Sequence, residues 1–308
     1  MNDTVQQVTA TADSNGAAET ARWRFEFYPD ERGPLDARLR ADLIGRATAA
    51  IRGECDPPLR RSRHAATFME RMPGTSGPAG VVYFKVYDRP RGLDWIRRTM
   101  TGSRARGAMA GTLEAWRRGL RAPAILLIGQ EGIGGRAVLA TRKVDGRVLP
   151  RFLAACDLTT RRQLIRQLGR EIARFHAAGL IHGDLTPFNI FVTREEPPSL
   201  VFIDHERTRA TGRFNRKRRR LRNLVQLGRF ELDFISRTDR MRLYAAWSDE
   251  LDALGQSEMN RQKTARRLVD HKAARRLIKM VRNRIGADRG LVHVAADGQV
   301  TIRRVEAS

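Results

Sequence analysis

Trp23, Phe25 and Phe27 occupy every second position, the period of a strand with one buried face, and predict a short strand ahead of the turn at Gly33-Pro34. Residues 39–52 have a helical composition, and a further strand is expected over 59–72, followed by a turn over 74–80. The clearest strand of the first half is Val81-Val82-Tyr83-Phe84-Lys85-Val86-Tyr87. Val82, Phe84 and Val86 share one of its faces, and Val81, Tyr83, Lys85 and Tyr87 share the other. Residues 103–118 read as a basic helix broken at Gly107 and Gly111. Residues 124–128 and 137–142 read as two strands around the glycine-rich stretch 132–135.

The pattern changes character after a break near residues 145–150. Thr159 or Thr160 can cap a helix running to Ala178, with Leu164, Leu168, Ile172 and Phe175 on one stripe and Gly179 at its stop. Two apolar runs, Ile190-Phe191-Val192 and Leu200-Val201-Phe202-Ile203, can pair as a hairpin that draws Asp184, Asn189 and Asp204 together. Helical patterns fill 221–285, and 291–304 reads as a terminal hairpin around Asp297-Gly298. The organisation expected is a disordered lead-in over 1–21 and a β-rich part with one helix over 22–147. A mainly helical part over 148–254 and a basic helical extension over 255–308 follow.

Composition narrows the class. The chain has 308 residues, enough for about two compact parts. Two cysteines far apart, Cys55 and Cys156, argue against a disulfide framework or a zinc site. The first residues lack the layout of a signal peptide, and the longest apolar run is strand length, far short of a membrane span. The charge is lopsided, 58 Lys and Arg against 34 Asp and Glu, a net +24. Such a field draws in polyanions.

One segment carries explicit chemistry. Phosphoryl transfer from ATP needs a carboxylate to orient the acceptor hydroxyl, oxygen ligands for magnesium, and a lysine against the phosphates. In protein kinases the base and one metal ligand come from H-R-D-x-x-x-x-N. Here His182-Gly183-Asp184-Leu185-Thr186-Pro187-Phe188-Asn189 places Asp184 and Asn189 at that spacing. Asp204, at the end of an apolar run, stands where the second metal-binding carboxylate is expected. Lys85 is the candidate phosphate lysine, because a lysine flanked by apolar residues inside a strand needs a partner for its ammonium. The plainer alternative is a lysine snorkelling from an edge strand. Glu114 is the one acid in the helix expected over 103–118 and so the candidate partner of Lys85.

The stretches 83–87, 103–106, 180–189 and 202–207, with the basic stretch leading into Asn223-Leu224, resemble the lipopolysaccharide kinase family, the Kdo and core-heptose kinases. The resemblance covers roughly residues 60–250. It implies an α+β, bilobal, protein-kinase-like fold with a small β-rich N-lobe and a larger, mainly helical C-lobe. It also implies ATP and Mg2+ as cofactors, and a sugar hydroxyl of the lipopolysaccharide inner core as acceptor at the cytoplasmic face of the inner membrane. By position, Lys85, Asp184, Asn189 and Asp204 take the family's lysine, base and metal-ligand roles. Two departures stand out: Gly183 replaces the arginine of HRD, and Asp204-His205-Glu206 lacks the glycine of DFG. Small-molecule kinases of the choline and aminoglycoside type share the HGD loop, and a catalytically inert binder of an anionic polymer or membrane is the competing class.

Between residues 213 and 222 seven of ten side chains are basic. Arg216, Lys217, Arg218, Arg219 and Arg220 are the candidate acceptor-binding residues, since arginine forks suit phosphate oxygens and inner-core glycolipids are anionic. The alternatives are a solvated helix face or a nucleic-acid patch. Residues 261–284 add ten basic side chains and one acid, a pattern that fits peripheral contact with an anionic membrane as well as a packed helix with a wet face.

Overall fold

Alternating apolar residues in the first half build one antiparallel sheet. The computed structural model describes residues 6–8, 23–29, 34–73, 80–132, 134–212, 216–256, 291–295 and 299–303. The chain divides into two compact units, the first made of Met1–Trp116, Ala122–Asp145 and Asp204–Arg207, the second of Arg117–Arg121, Gly146–Ile203 and Thr208–Ser308.

In chain order the first unit contains β1 (Gln6–Val8), β2 (Trp23–Phe27), α1 (Ala37–Arg52), β3 (Arg60–Arg61), β4 (Ala65–Arg71) and β5 (Val81–Tyr87). These are followed by α2 (Leu93–Thr101), α3 (Arg104–Arg117), β6 (Ile125–Glu131) and β7 (Ala137–Arg142). Its seven strands are ordered β1-β2-β6-β7-β5-β4-β3, every neighbouring pair antiparallel. Trp23, Phe25, Phe27, Phe68, Val82, Phe84 and Leu127 pack on one face against Leu43 and Ala47 of α1. Tyr87, Ile125, Ile128 and Leu139 pack on the other against Ala105 and Ala108 of α3. The period-two pattern of β5 thus has a structural meaning. Phe84 and its like-facing neighbours bury toward α1, which turns Lys85 to the α3 face.

Four expectations change here. The strand expected over 59–72 is a hairpin, β3 and β4, joined at Ser62, whose hydroxyl accepts from the Ala65 amide. Helix α3 runs unbroken through Gly107 and Gly111, because its buried face needs small residues more than it suffers from glycine. Gln6–Val8 pairs with β2 instead of belonging to a disordered lead-in. Helix α2 was not anticipated: its Leu93 and Met100 are 85% and 83% exposed, so no buried stripe marked it. The turn expected over 74–80 falls, apart from Gly80, outside the described residues.

The second unit contains β8 (Gly146–Val148), α4 (Leu149–Ala155), α5 (Leu158–Ala177), β9 (Leu180–Ile181), β10 (Ile190–Thr193), β11 (Leu200–Phe202) and β12 (Arg209–Ala210). Then come α6 (Arg216–Gly228), β13 (Phe230–Leu232), α7 (Arg237–Ala253), β14 (Leu291–Val294) and β15 (Val300–Arg303). The cap of α5 is Asp157, whose carboxylate accepts from the Thr159 and Thr160 amides, rather than either threonine. The expected stripe Leu164, Leu168, Ile172 and Phe175 is buried. Helix α5 lies against α7 at Gly169, where an added Cβ would stand 2.4 Å from the Leu243 carbonyl oxygen. The hairpin of β10 and β11 forms as read, Ile190 opposite Phe202. The terminal hairpin of β14 and β15 also forms, with β14 parallel to β13. The helical pattern over 257–285 lies outside the described residues.

Candidate active site

In the first unit, Lys85 Nζ stands 2.8 Å from Asp204 Oδ1 and 4.0 Å from Glu206 Oε2. It also lies over the Tyr87 ring, 5.3 Å from the centroid. Burial pushes the Tyr87 phenol well up, with the Asp204 and Glu206 carboxylates adding to the effect, so it stays neutral beneath the lysine. Asp204 has φ 61°, the left-handed region that a residue with a Cβ enters only when its surroundings impose it. Such strain collects at functional positions.

Glu114 does not serve as the partner of Lys85. It lies in the last turn of α3, and the lysine's ion pairs go to Asp204 and Glu206. The buried face of α3 carries Ala105, Ala108, Gly111, Thr112 and Ala115, none of them acidic. Arg104 opens the helix, and its Nη1 stands 2.8 Å from Glu206 Oε1. Sequence reasoning missed Glu206 because it sought the acid on the helix.

In the second unit, the loop after β9 holds the Asp184/Asn189 pair. Gly183 takes φ 74°, so the glycine in place of the HRD arginine suits its backbone. Asn189 Nδ2 donates to the Asp184 carbonyl at 2.9 Å, closing the loop on itself. The Ile203 amide donates to the Asn189 carbonyl at 2.9 Å. His182 is buried, with Nε2 2.9 Å from the Ile203 carbonyl. These bonds tie the 182–189 loop to the chain at Ile203. Asp184 itself is half-buried.

Helix α6 supports the same loop. The Asn223 Oδ1 accepts the His182 amide at 3.1 Å, and Gln226 Nε2 donates to the Gly183 carbonyl at 3.0 Å. Asn223 Oδ1 also accepts from His176 Nε2 at 3.3 Å, while His176 Nδ1 accepts from the Trp247 indole at 3.0 Å. The two contacts fix one neutral tautomer. Burial, with Arg220 adding to it, lowers the His176 pKa to about 3.

The basic run begins helix α6 but is not uniform. Arg220 is only 2% exposed, and its guanidinium donates to the His176 carbonyl at 2.9 Å and to Gln256. It is a structural residue and leaves the acceptor-binding set. Arg219 is half-exposed, and the side chains of Arg216, Lys217 and Arg218 lie outside the described residues.

These residues suit a nucleotide and its metal. Among the described residues no cluster of three or more His, Cys, Asp or Glu could hold a metal by protein alone. Magnesium does not need one, because one or two protein oxygens complete its shell with phosphates and water. Asp204 has a carboxylate and Asn189, whose amide nitrogen donates to the Asp184 carbonyl, a carboxamide oxygen, both of the kind magnesium accepts. Among the described residues no helix is long and apolar enough to cross a membrane.

Comparison with known proteins bears on the fold and the family. A solved structure, WaaP in complex with acyl carrier protein, matches over 82% of this chain and 96% of that one, with a TM-score of 0.56 at 16% identity. At that identity the likeness shows the fold, which is mixed α and β and kinase-like. A curated relative, KEOPS complex subunit Bud32 of Pyrococcus abyssi (strain GE5 / Orsay), is 30% identical over 67 residues. That match spans 22% of this chain and 29% of the relative. The model of the Lipopolysaccharide kinase (Kdo/WaaP) family matches residues 94–247, half of the 308 residues: the chain belongs to that family and is a kinase.

Proposed function

We propose that the chain transfers the γ-phosphoryl group of ATP, with Mg2+, to a sugar hydroxyl of the lipopolysaccharide inner core, Kdo or heptose. The acceptor is an anionic glycolipid, and the reaction belongs at the cytoplasmic face of the inner membrane, with the protein peripheral to it. The observation that carries the reading is the salt bridge of Lys85 with Asp204 at 2.8 Å, across 119 residues of sequence, beside an Asp204 backbone held at φ 61°. A lysine and a carboxylate kept in that relation are what a triphosphate and its metal require.

Each residue then has one task. Lys85 neutralises the nucleotide phosphates, Asp204 and the Asn189 carboxamide oxygen are the magnesium ligands, and Asp184 orients the acceptor hydroxyl and takes its proton. Bound magnesium supplies charge neutralisation at the transferring phosphoryl group. The loop bonds from Asn189, Asn223 and Gln226 keep Asp184 in place before the acceptor arrives, so little ordering remains to be done at the reacting step.

Replacing Asp184 by Asn tests the assignment. The variant is expected to lose phosphoryl transfer by at least about 100-fold while its melting temperature and MgATP affinity hold. Turnover on purified core oligosaccharide, followed by phosphate incorporation, is the measurement. Near-wild-type turnover removes Asp184 as the base. A wild-type protein that binds MgATP but modifies no core saccharide directs the search to a small hydroxylated acceptor. One that binds no MgATP supports the inert anion-binding class.

A further inference from the structure

Glu206 divides its two carboxylate oxygens between two cations of the first unit: Oε1 is 2.8 Å from Arg104 Nη1, and Oε2 is 4.0 Å from Lys85 Nζ. The Arg104 and Glu206 side chains are each only 16% exposed, so the pair is screened far less than a surface one. The backbone supports the same contact. An added Cβ on Gly107 would meet the Glu206 carbonyl oxygen at 3.4 Å, so the segment carrying Glu206 lies directly on the first two turns of α3. Arg104 is ill-placed there by the helix dipole, with no acid in the first turn of the helix, and the Glu206 carboxylate offsets both.

We propose that Glu206 is the positioning carboxylate of Lys85 and that Arg104 is its anchor, an inference that rests on the phosphotransfer reading above. Asp204 cannot hold the lysine and ligate a metal with full strength at once. When it turns to magnesium, Glu206 is the carboxylate left beside Lys85, and its bond to Arg104 keeps it from following the lysine or the metal. The polarity of the usual arrangement is thereby reversed: helix α3 contributes a cation, and the acid sits two residues after the metal-binding carboxylate. The lysine and Asp204 are consequently set by one short segment, and the lysine's placement does not depend on an acid carried by the helix.

A double-mutant cycle tests this. Wild type, Glu206→Gln, Glu206→Asp, Lys85→Met and Lys85→Met/Glu206→Gln are compared by melting temperature, by MgATP affinity, and by kcat on core oligosaccharide. Glu206→Gln should lower kcat on the order of 100-fold, the scale of a misplaced reacting group, and Glu206→Asp should recover part of it. In the Lys85→Met background Glu206→Gln should do nothing further. Arg104→Gln should show a smaller fall that vanishes when Glu206 is already Gln. Equal losses in both backgrounds, or a lowered melting temperature with unchanged kcat, would overturn the proposal. If the wild type binds MgATP but phosphorylates no core saccharide, the acceptor reading fails alone, and the cycle read on MgATP affinity still decides the role of Glu206. Failure of the wild type to bind MgATP overturns both.

Discussion

At Asp204 two demands on one residue can be separated. Its carboxylate serves Lys85 and the proposed metal, while its backbone is held at φ 61°, a conformation that costs a residue with a Cβ about 1 kcal/mol or more. Asp204→Ala and Asp204→Gly both remove the ligand and should both lose the magnesium dependence of nucleotide binding. Only glycine relieves the backbone, so Asp204→Gly should be more stable than Asp204→Ala by about 1 kcal/mol in chemical denaturation. Equal stability would mean that the left-handed conformation is not held in the folded protein. His176 is a second case. Its folded pKa is lowered from 6.5 to about 3, so the unfolded chain binds the extra proton first as pH falls. Stability contributed by the neutral ring is present above pH 6.5 and is lost progressively down to about pH 3. Between pH 7 and pH 5 the loss should be about 2 kcal/mol, and His176→Gln should flatten that part of the profile. A wild-type profile with no such slope would show that the ring is not locked between Asn223 and Trp247.

Elements differ in how plainly the sequence announced them. Strand β5, helix α5 and the hairpin of β10 and β11 were legible because each shows a clean periodicity against a buried face. The loop over 182–189 was legible from the spacing of Asp184 and Asn189, which a hydrogen bond closes. What was hidden depended on partners distant in sequence. Helix α2 exposes its apolar residues, so no stripe marked it. Helix α3 carries two glycines that read as breaks, yet Gly107 is where the Glu206 backbone comes close. The loop supports Asn223 and Gln226 lie in the helix that the basic run begins, where charge drew attention away from them. Gly169 illustrates the same point quantitatively. Propensity alone favours alanine there by about 1 kcal/mol, but the new Cβ would stand 2.4 Å from the Leu243 carbonyl oxygen and 3.0 Å from the Ala246 Cβ. Gly169→Ala should therefore destabilise the second unit, by about 1–3 kcal/mol in thermal or denaturant unfolding. A neutral or stabilising result would show that α5 and α7 do not pack at that distance.

For the whole molecule, the question is how much of the +24 charge faces outward. Many arginines are spent internally. Arg161 donates to the carbonyls of Leu153, Cys156 and Phe234, Arg240 to those of Gly228 and Phe230, and Arg220 to that of His176. Others pair with acids, as Arg106 does with Glu26 and Arg174 with Glu250. Net charge therefore does not say which cations can touch a partner, and the basic run must be divided before it is tested. Arg216, Lys217, Arg218 and Arg219 form the group to replace together by Ser, with Arg220→Ser made separately. If the four guide an anionic core glycolipid, the fourfold variant should show an acceptor KM raised several-fold at low ionic strength. Its KM should then rise little with added salt, because the screened attraction is already gone, and its MgATP affinity should hold. Single substitutions of this kind are each worth too little to read when the cation meets water. Arg220→Ser should do the opposite, lowering the melting temperature by removing the buried guanidinium that donates to the His176 carbonyl and to Gln256, with the acceptor KM of the remaining folded protein unchanged. Steady-state kinetics at two salt concentrations, with thermal unfolding alongside, distinguishes the two. An unaltered acceptor KM in the fourfold variant at low salt would take the run out of acceptor recognition and leave it a solvated helix face.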